Sequence, residues 1–205
     1  MKKIIITISR EFGSGGREIG KQVAQKLKID FYDREIIDMV AAECGFSSDY
    51  VEQIEYKTTN SLMYNVVAAG AYPLSIMPIE TSNSDKLFII ESRIINELAD
   101  KTSCVIIGRC ADYVLRDRDD CLHIFIRADK NFRISRAVME YNIMPDNAES
   151  EVVKVDKKRK NYYQRYTDRK WGDASNFHAT LDSGAIGIDA CVKCILDAAE
   201  GFSNN

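Results

Sequence analysis

The chain of 205 residues carries little excess of one sign of charge. Its 28 Lys and Arg stand against 31 Asp and Glu, a formal net charge of −3. The whole-molecule field therefore gives no reason to expect non-specific capture of nucleic acid or of an anionic membrane. Any phosphate binding must come from local clusters. No export signal is legible: after Met1, Lys2 and Lys3 the apolar run Ile4 to Ile8 is short, and Ser9, Arg10 and Glu11 stand where a small-residue cleavage site belongs. A cytoplasmic protein is the expectation. The long uncharged stretch, Thr58 to Ile79, contains Asn60, Asn65, Gly70, Pro73 and Pro78, whose polar groups a bilayer would leave unsatisfied, so no membrane partner is expected. A buried insertion or a contact between copies suits it better, and Val66 to Ile79 hints at a homodimer. Cys191 and Cys194 form a C-x-x-C, but Cys44, Cys104, Cys110 and Cys121 supply no second pair at zinc-ligand spacing, so no structural metal is predicted. Repeats, low-complexity tracts and long linkers are also missing.

What is present is an alternation. Short β-branched or aromatic segments recur at Ile4 to Ile8, Asp30 to Tyr32, Cys104 to Ile107, Leu122 to Ile126 and Phe177 to Leu181, with helical stretches between them. Several are continuously apolar, as strands buried on both faces are. Asp33 is a candidate N-cap for a helix over Arg34 to Cys44 that Gly45 stops, and Ser84 for one from Asp85 to about Asp100. Asp129 opens a helix through about Tyr141, which Pro145 cannot continue. A basic, tyrosine-rich segment covers Glu149 to Lys170, and a last helix runs from about Asp189 to Glu200. The pattern predicts an α/β fold with a five-stranded parallel sheet and ligands at the carboxyl ends of its strands. The core would comprise residues 1–45, 84–145 and 171–205, interrupted by a helical insertion over 46–83 and a lid over 146–170.

The segment after the first strand is the most informative. In Ser9-Arg10-Glu11-Phe12-Gly13-Ser14-Gly15-Gly16-Arg17-Glu18-Ile19-Gly20, the glycines let successive N–H groups turn toward an anion at the positive end of the following helix. Gly13, Ser14, Gly15, Gly16, Arg17 and Glu18 thus form a candidate phosphate cradle. It differs from G-x-x-x-x-G-K-[ST]: Arg17 and Glu18, or Gly16 and Arg17, stand in place of the Lys and hydroxyl residue. Arg17 can supply charge through its fork, and Glu18 is either a magnesium ligand or an ordinary first-turn acid. Gly108 and Arg109 end the third strand, putting a guanidinium beside the cradle where it can clamp a second phosphate, unless it pairs with Asp112 or Asp33. Asp33 and Arg34 follow the second strand and face the same crevice. Arg133 and Arg136 share a helix face. Lys157, Lys158, Arg159, Lys160, Arg165 and Arg169, interleaved with Tyr162, Tyr163 and Tyr166, read as a mobile lid; the acidic total makes single-stranded nucleic acid the weaker account.

In this order these residues resemble bacterial cytidylate kinase. More closely, I-S-R-E-F-G-S-G-G-R-E-I-G at Ile8 to Gly20 and I-I-G-R-C-A-D at Ile106 to Asp112 resemble the cytidylate kinase-like family over nearly the whole chain. The resemblance implies a P-loop nucleoside monophosphate kinase fold that uses ATP and Mg²⁺. It implies that the Gly13 to Glu18 loop holds the ATP phosphates and that Arg109 holds the acceptor phosphate, with Asp33, Arg34 and Asp112 on the acceptor side. Arg133, Arg136 and Arg159 would neutralise the transferring group, with Arg17 counted beside them for the charge it can supply toward the β- and γ-phosphates. Cytidylate kinases carry the Lys and Thr or Ser of the loop and a small-residue motif after strand two, where this chain has Arg34-Glu35-Ile36. The leading expectation is phosphoryl transfer from ATP to a nucleoside monophosphate, CMP first. The alternatives are a nucleotide sensor without turnover and a kinase for another small acceptor.

Overall fold

The computed structural model describes residues 3–55 and 82–203. Strands β1 (Ile5–Arg10), β2 (Asp30–Tyr32), β3 (Cys104–Ile107), β4 (Cys121–Arg127) and β5 (Ala179–Asp182) form one five-stranded sheet in the order β2-β3-β1-β4-β5. Every pairing is parallel, as the continuously apolar segments predict. The helices are α1 (Gly16–Leu27), α2 (Arg34–Cys44), α3 (Ser48–Glu55), α4 (Asn83–Lys101), α5 (Ala111–Val114), α6 (Lys130–Tyr141), α7 (Pro145–Thr167), α8 (Ser183–Ile186) and α9 (Ile188–Ser203).

Strand alternation divides the core into two layers. On one face Ile4, Ile6 and Ile8 pack with Val105 and Ile107 against Ile19 and Val23 of α1 and Val192 and Ile195 of α9. On the other, Ile5, Cys104 and Ile106 meet Ile36 and Val40 of α2 and Ile94, Ile95 and Leu98 of α4. Each such fully buried aliphatic side chain stabilises the fold by about 1.5–3 kcal/mol, enough to fix the register that sets Ile8 beside Ile107 and Arg10 beside Ile126. The loops that follow β1, β2 and β3 consequently emerge side by side.

Several boundaries differ from expectation for local reasons. Ser82, not Ser84, caps α4: its Oγ accepts from the Asp85 N–H at 3.2 Å, and Ser84 is buried within the first turn. Asp33 precedes α2 but makes no side-chain cap, because its carboxylate is turned toward arginines. Pro145 does not merely follow α6; it opens α7, where a missing N–H costs nothing, after Asn142 has closed α6 in a left-handed turn. The lid expectation needs the largest correction. Helix α7 runs unbroken to Thr167, and Tyr162, Tyr163 and Tyr166 are buried against Phe88 of α4 rather than interleaved with solvent-facing lysines. That end of the segment belongs to the core.

Of the insertion expected over 46–83, α3 is described, whereas residues 56–81 lie outside the described residues, and with them the 66–79 stretch assigned to a contact between copies. Among the described residues no helix is long and apolar enough to cross a membrane, and none forms a cluster of three metal-ligating side chains.

Candidate active site

A cleft of about 1060 Å³ opens at the carboxyl ends of β1, β2 and β3, where an open parallel sheet binds its ligands. One wall is the glycine loop. Gly13 has φ 78°, and a Cβ there would stand 2.5 Å from the Arg133 carbonyl oxygen, so only glycine fits. Gly15, also left-handed, is the N-cap of α1, and no side chain caps the helix. The first-turn N–H groups of α1 therefore keep the partial positive charge that favours an anion. Ser14 is buried and contributes differently from expectation. Its Oγ donates to Glu11 O at 2.8 Å, and its own carbonyl accepts from Ser183 Oγ at 2.5 Å, so its side chain shapes the loop from behind.

Three arginines converge on Asp33 within this cleft. Arg17 Nε stands 2.5 Å from Oδ2, Arg10 Nη2 3.8 Å from Oδ1, and Arg109 Nε donates to the Asp33 carbonyl at 3.3 Å. The hydrogen bond to Asp33 raises the Arg17 pKa further, so Arg17 is a permanent cation at the mouth of the cradle. Arg34 also lines the cleft, at its rim, where it pairs with Asp49 at 3.3 Å and Glu52 at 3.6 Å of α3. Arg159, from α7, donates to Arg10 O at 3.1 Å and lies over the Phe12 ring.

Arg109 is held in an unusual backbone. Gly108, Arg109 and Cys110 are consecutively left-handed, with φ 70°, 58° and 54°. Such conformations cost on the order of 1–3 kcal/mol per non-glycine residue and persist where surroundings impose them, commonly at binding sites. A Cβ at Gly108 would fall 1.9 Å from Arg10 Nη1, so this turn exists to pass the arginine closely. The Arg109 guanidinium pairs with Glu91 Oε1 at 2.6 Å, rather than with Asp112.

Three expected residues have other work. Asp112 is 2% exposed and does not line the cleft: Ser9 Oγ and the Tyr163 hydroxyl donate to its two oxygens at 3.1 and 2.7 Å. Burial pushes its pKa up while those two donors pull it back. Arg133 does not line the cleft either; it pairs with Asp156 and Glu11 and donates to the carbonyls of Ala128 and Phe12, which fastens the loop to α7 and β4. Glu18 is paired with Arg136 at 2.7 Å, so its carboxylate is committed to an arginine rather than left open for a cation. Arg136 itself lies beside the cradle: its Nε is buried without a hydrogen-bond partner, 3.6 Å from where a Gly15 Cβ would stand.

The sequence reading missed Arg10, Glu11, Glu91 and Asp156. Arg10 and Glu11 sit inside the glycine-loop motif and were legible there. Asp156 accepts from the Phe12 N–H at 2.7 Å, and Glu91 lies midway along α4; each is one acid among many on a long helix, with no local signal.

The donor set fits a polyphosphate: an uncapped helix N-terminus, a cradle that a Cβ would fill, and Arg10, Arg17, Arg109 and Arg159 around it. A magnesium ion would arrive chiefly on phosphate oxygens and water, since the carboxylates nearest the loop, Glu11, Glu18 and Asp33, are all arginine-paired.

Comparison with known proteins bears on the family and the fold. The profile of the cytidylate kinase-like family matches residues 5–185. An uncharacterized protein from Eubacterium ventriosum superposes with a TM-score of 0.72 at 26% identity, covering 97% of this chain and 99% of the other. Shikimate kinase from Acinetobacter baumannii, solved with shikimate, gives a TM-score of 0.52 at 12% identity over 97% and 94% of the two chains. Shikimate kinase from Bacteroides thetaiotaomicron gives 0.53 at 12% identity over 96% and 98%. The last two share the P-loop kinase fold and no more. No curated protein matches the chain. With its family profile spanning nearly the whole sheet and the glycine loop, this chain belongs to the cytidylate kinase-like family.

Proposed function

We propose that the protein transfers the γ-phosphoryl group of ATP to a nucleoside monophosphate, with CMP the first acceptor to test. The observation that carries the reading is the ring of arginines around an uncapped glycine loop, in a chain of the cytidylate kinase-like family. Phosphoryl transfer requires little covalent help from protein; positioning and charge neutralisation supply most of the rate.

In this reading the N–H groups from Gly13 to Glu18 hold the β- and γ-phosphates. Arg17 exchanges its Asp33 partner for a phosphate oxygen. Arg109 holds the acceptor phosphate, Arg34 and Asp33 border the acceptor, and Arg136 and Arg159 neutralise the transferring group. A magnesium ion carried in on the nucleotide would supply further charge neutralisation, held through the phosphates rather than by Asp33 or Glu18, which are arginine-paired. Arg133 and Asp112 support the site from behind.

A second reading, a kinase for a different small acceptor, draws on the polar far end of the cleft, where Asp49, Glu52 and Gln53 line the wall. Incubation of the protein with ATP, Mg²⁺ and a panel of monophosphates, read out for ADP and for each diphosphate, separates the readings. Stoichiometric ADP and CDP support the proposal. ADP formation with no nucleoside diphosphate supports the second acceptor class, and tight ATP binding with no ADP identifies a sensor instead.

A further inference from the structure

We infer that Glu91, backed by Tyr162, is the positioning residue that sets Arg109 for the acceptor and ties that setting to helix α7; this rests on the reading that Arg109 holds the acceptor phosphate. Glu91 does not line the cleft. It is 4% exposed, and both its oxygens are used: Oε1 meets Arg109 Nη1 at 2.6 Å, and Oε2 accepts from the Tyr162 hydroxyl at 2.7 Å. Arg109 is held on its other side by the Asp33 carbonyl. A long arginine side chain leaving a left-handed turn has many rotamers; contacts at both Nε and Nη1 restrict them.

The anchor lies on α7, and the same helix reaches the other end of the cleft. Asp156 accepts from the Phe12 N–H, and Arg159 donates to Arg10 O, so α7 grips the glycine loop one and two turns before it grips Glu91. A rigid helix therefore fixes the distance between the loop that would hold the donor and the arginine that would hold the acceptor. A misplacement of about 1 Å at such a site can cost about 10²-fold in rate.

The test compares Glu91→Gln, Tyr162→Phe, Arg109→Ala and Glu91→Gln/Arg109→Ala, each checked for unchanged circular dichroism. Glu91→Gln keeps the shape and an acceptor oxygen, and Tyr162→Phe keeps the packing. Glu91→Gln is expected to raise the acceptor KM and lower kcat, with a combined loss of about 10²-fold in kcat/KM for the acceptor. ATP affinity by calorimetry should stay within about twofold, a difference well under 1.4 kcal/mol. Tyr162→Phe should lose less in the same direction, and the double variant should be no worse than Arg109→Ala, because the two residues act as one unit. Additive losses, or equal losses of ATP affinity and acceptor turnover, overturn the inference. A second readout needs no turnover: the Arg109 Nε–H resonance, identified by its absence in Arg109→Ala, should lose its protection from solvent exchange in Glu91→Gln, because a guanidinium released by Glu91 at Nη1 also leaves the Asp33 carbonyl that its Nε–H meets. If that resonance is unchanged, the positioning role is wrong. If the wild type phosphorylates no monophosphate while the resonance shifts as stated, the kinase reading fails and the positioning of Arg109 stands.

Discussion

Arg109 and Gly13 show how much a single residue's backbone decides. At Gly13 the left-handed turn and the approach of the Arg133 carbonyl leave no room for a methyl group. Gly13→Ala should lower stability by about 1–3 kcal/mol, measured by urea denaturation, and weaken ATP binding by at least about tenfold in calorimetry, as the loop N–H groups turn away. At Arg109 the expectation is opposite in kind. Arg109→Ala should lower turnover by at least about 10²-fold, because the acceptor loses its positioning contact, while ATP affinity stays nearly intact. Equal loss of both would place the residue elsewhere. The glycine loop and the Gly108-Arg109 pair were legible because their motif stands directly after a strand. The partners of Arg133 and Asp112 were not legible, because residue type and spacing state which face a side chain takes, not which partner already occupies it. Arg133 meets Asp156, 23 residues away, and Asp112 meets Tyr163, 51 residues away.

Among the elements, α7 carries the clearest consequence. Its tyrosines dock by their hydroxyls on buried acids: Tyr162 on Glu91, Tyr163 on Asp112 and Tyr166 on Asp85. Tyr163→Phe leaves the buried Asp112 with one side-chain donor, Ser9, and should destabilise the protein by about 1–3 kcal/mol. The loss should depend on pH. Burial already raises the Asp112 pKa, and the Tyr163 hydroxyl opposes that rise by binding the charged form. A raised carboxyl pKa favours the protonated group in the fold, a contribution present at low pH and lost as pH rises through the folded value. Without Tyr163 the pKa climbs further, so Tyr163→Phe should cost more at pH 8 than at pH 4.5 in parallel urea titrations. A smaller cost at pH 8 would mean that Asp112 is not the group involved. The basic and tyrosine-rich composition of this helix reads as a lid in sequence because charge and aromatics alternate. Only packing against Phe88 reveals that the aromatics form the buried stripe.

For the whole molecule, the sheet itself titrates. His123, on β4, lies 2.8 Å from Thr7 Oγ1 and stacks on His178 with ring centroids 5.1 Å apart. Burial first, then His178 and Arg169, lower its pKa from 6.5 to about 4. The fold thus holds the neutral ring. Its contribution is complete above pH 6.5 and lost as pH falls toward 4, an effect of up to about 3 kcal/mol on global stability. His123→Gln should flatten that part of the stability–pH curve between pH 7 and pH 4.5; an unchanged slope would assign it to other groups. The α/β class, the strand sequence and the location of a glycine loop after the first strand were all contained in the order of residues, because strand burial, helix periodicity and glycine turns are local properties of short segments. The partners of the charged groups were not. Which carboxylate takes Arg109, which arginine takes Glu18 and which acids receive the tyrosines depend on side chains 18 to 118 residues apart in the chain, brought together when the sheet and its helical layers pack. Local pattern cannot state such pairings, and a buried charge that loses its one partner is costly.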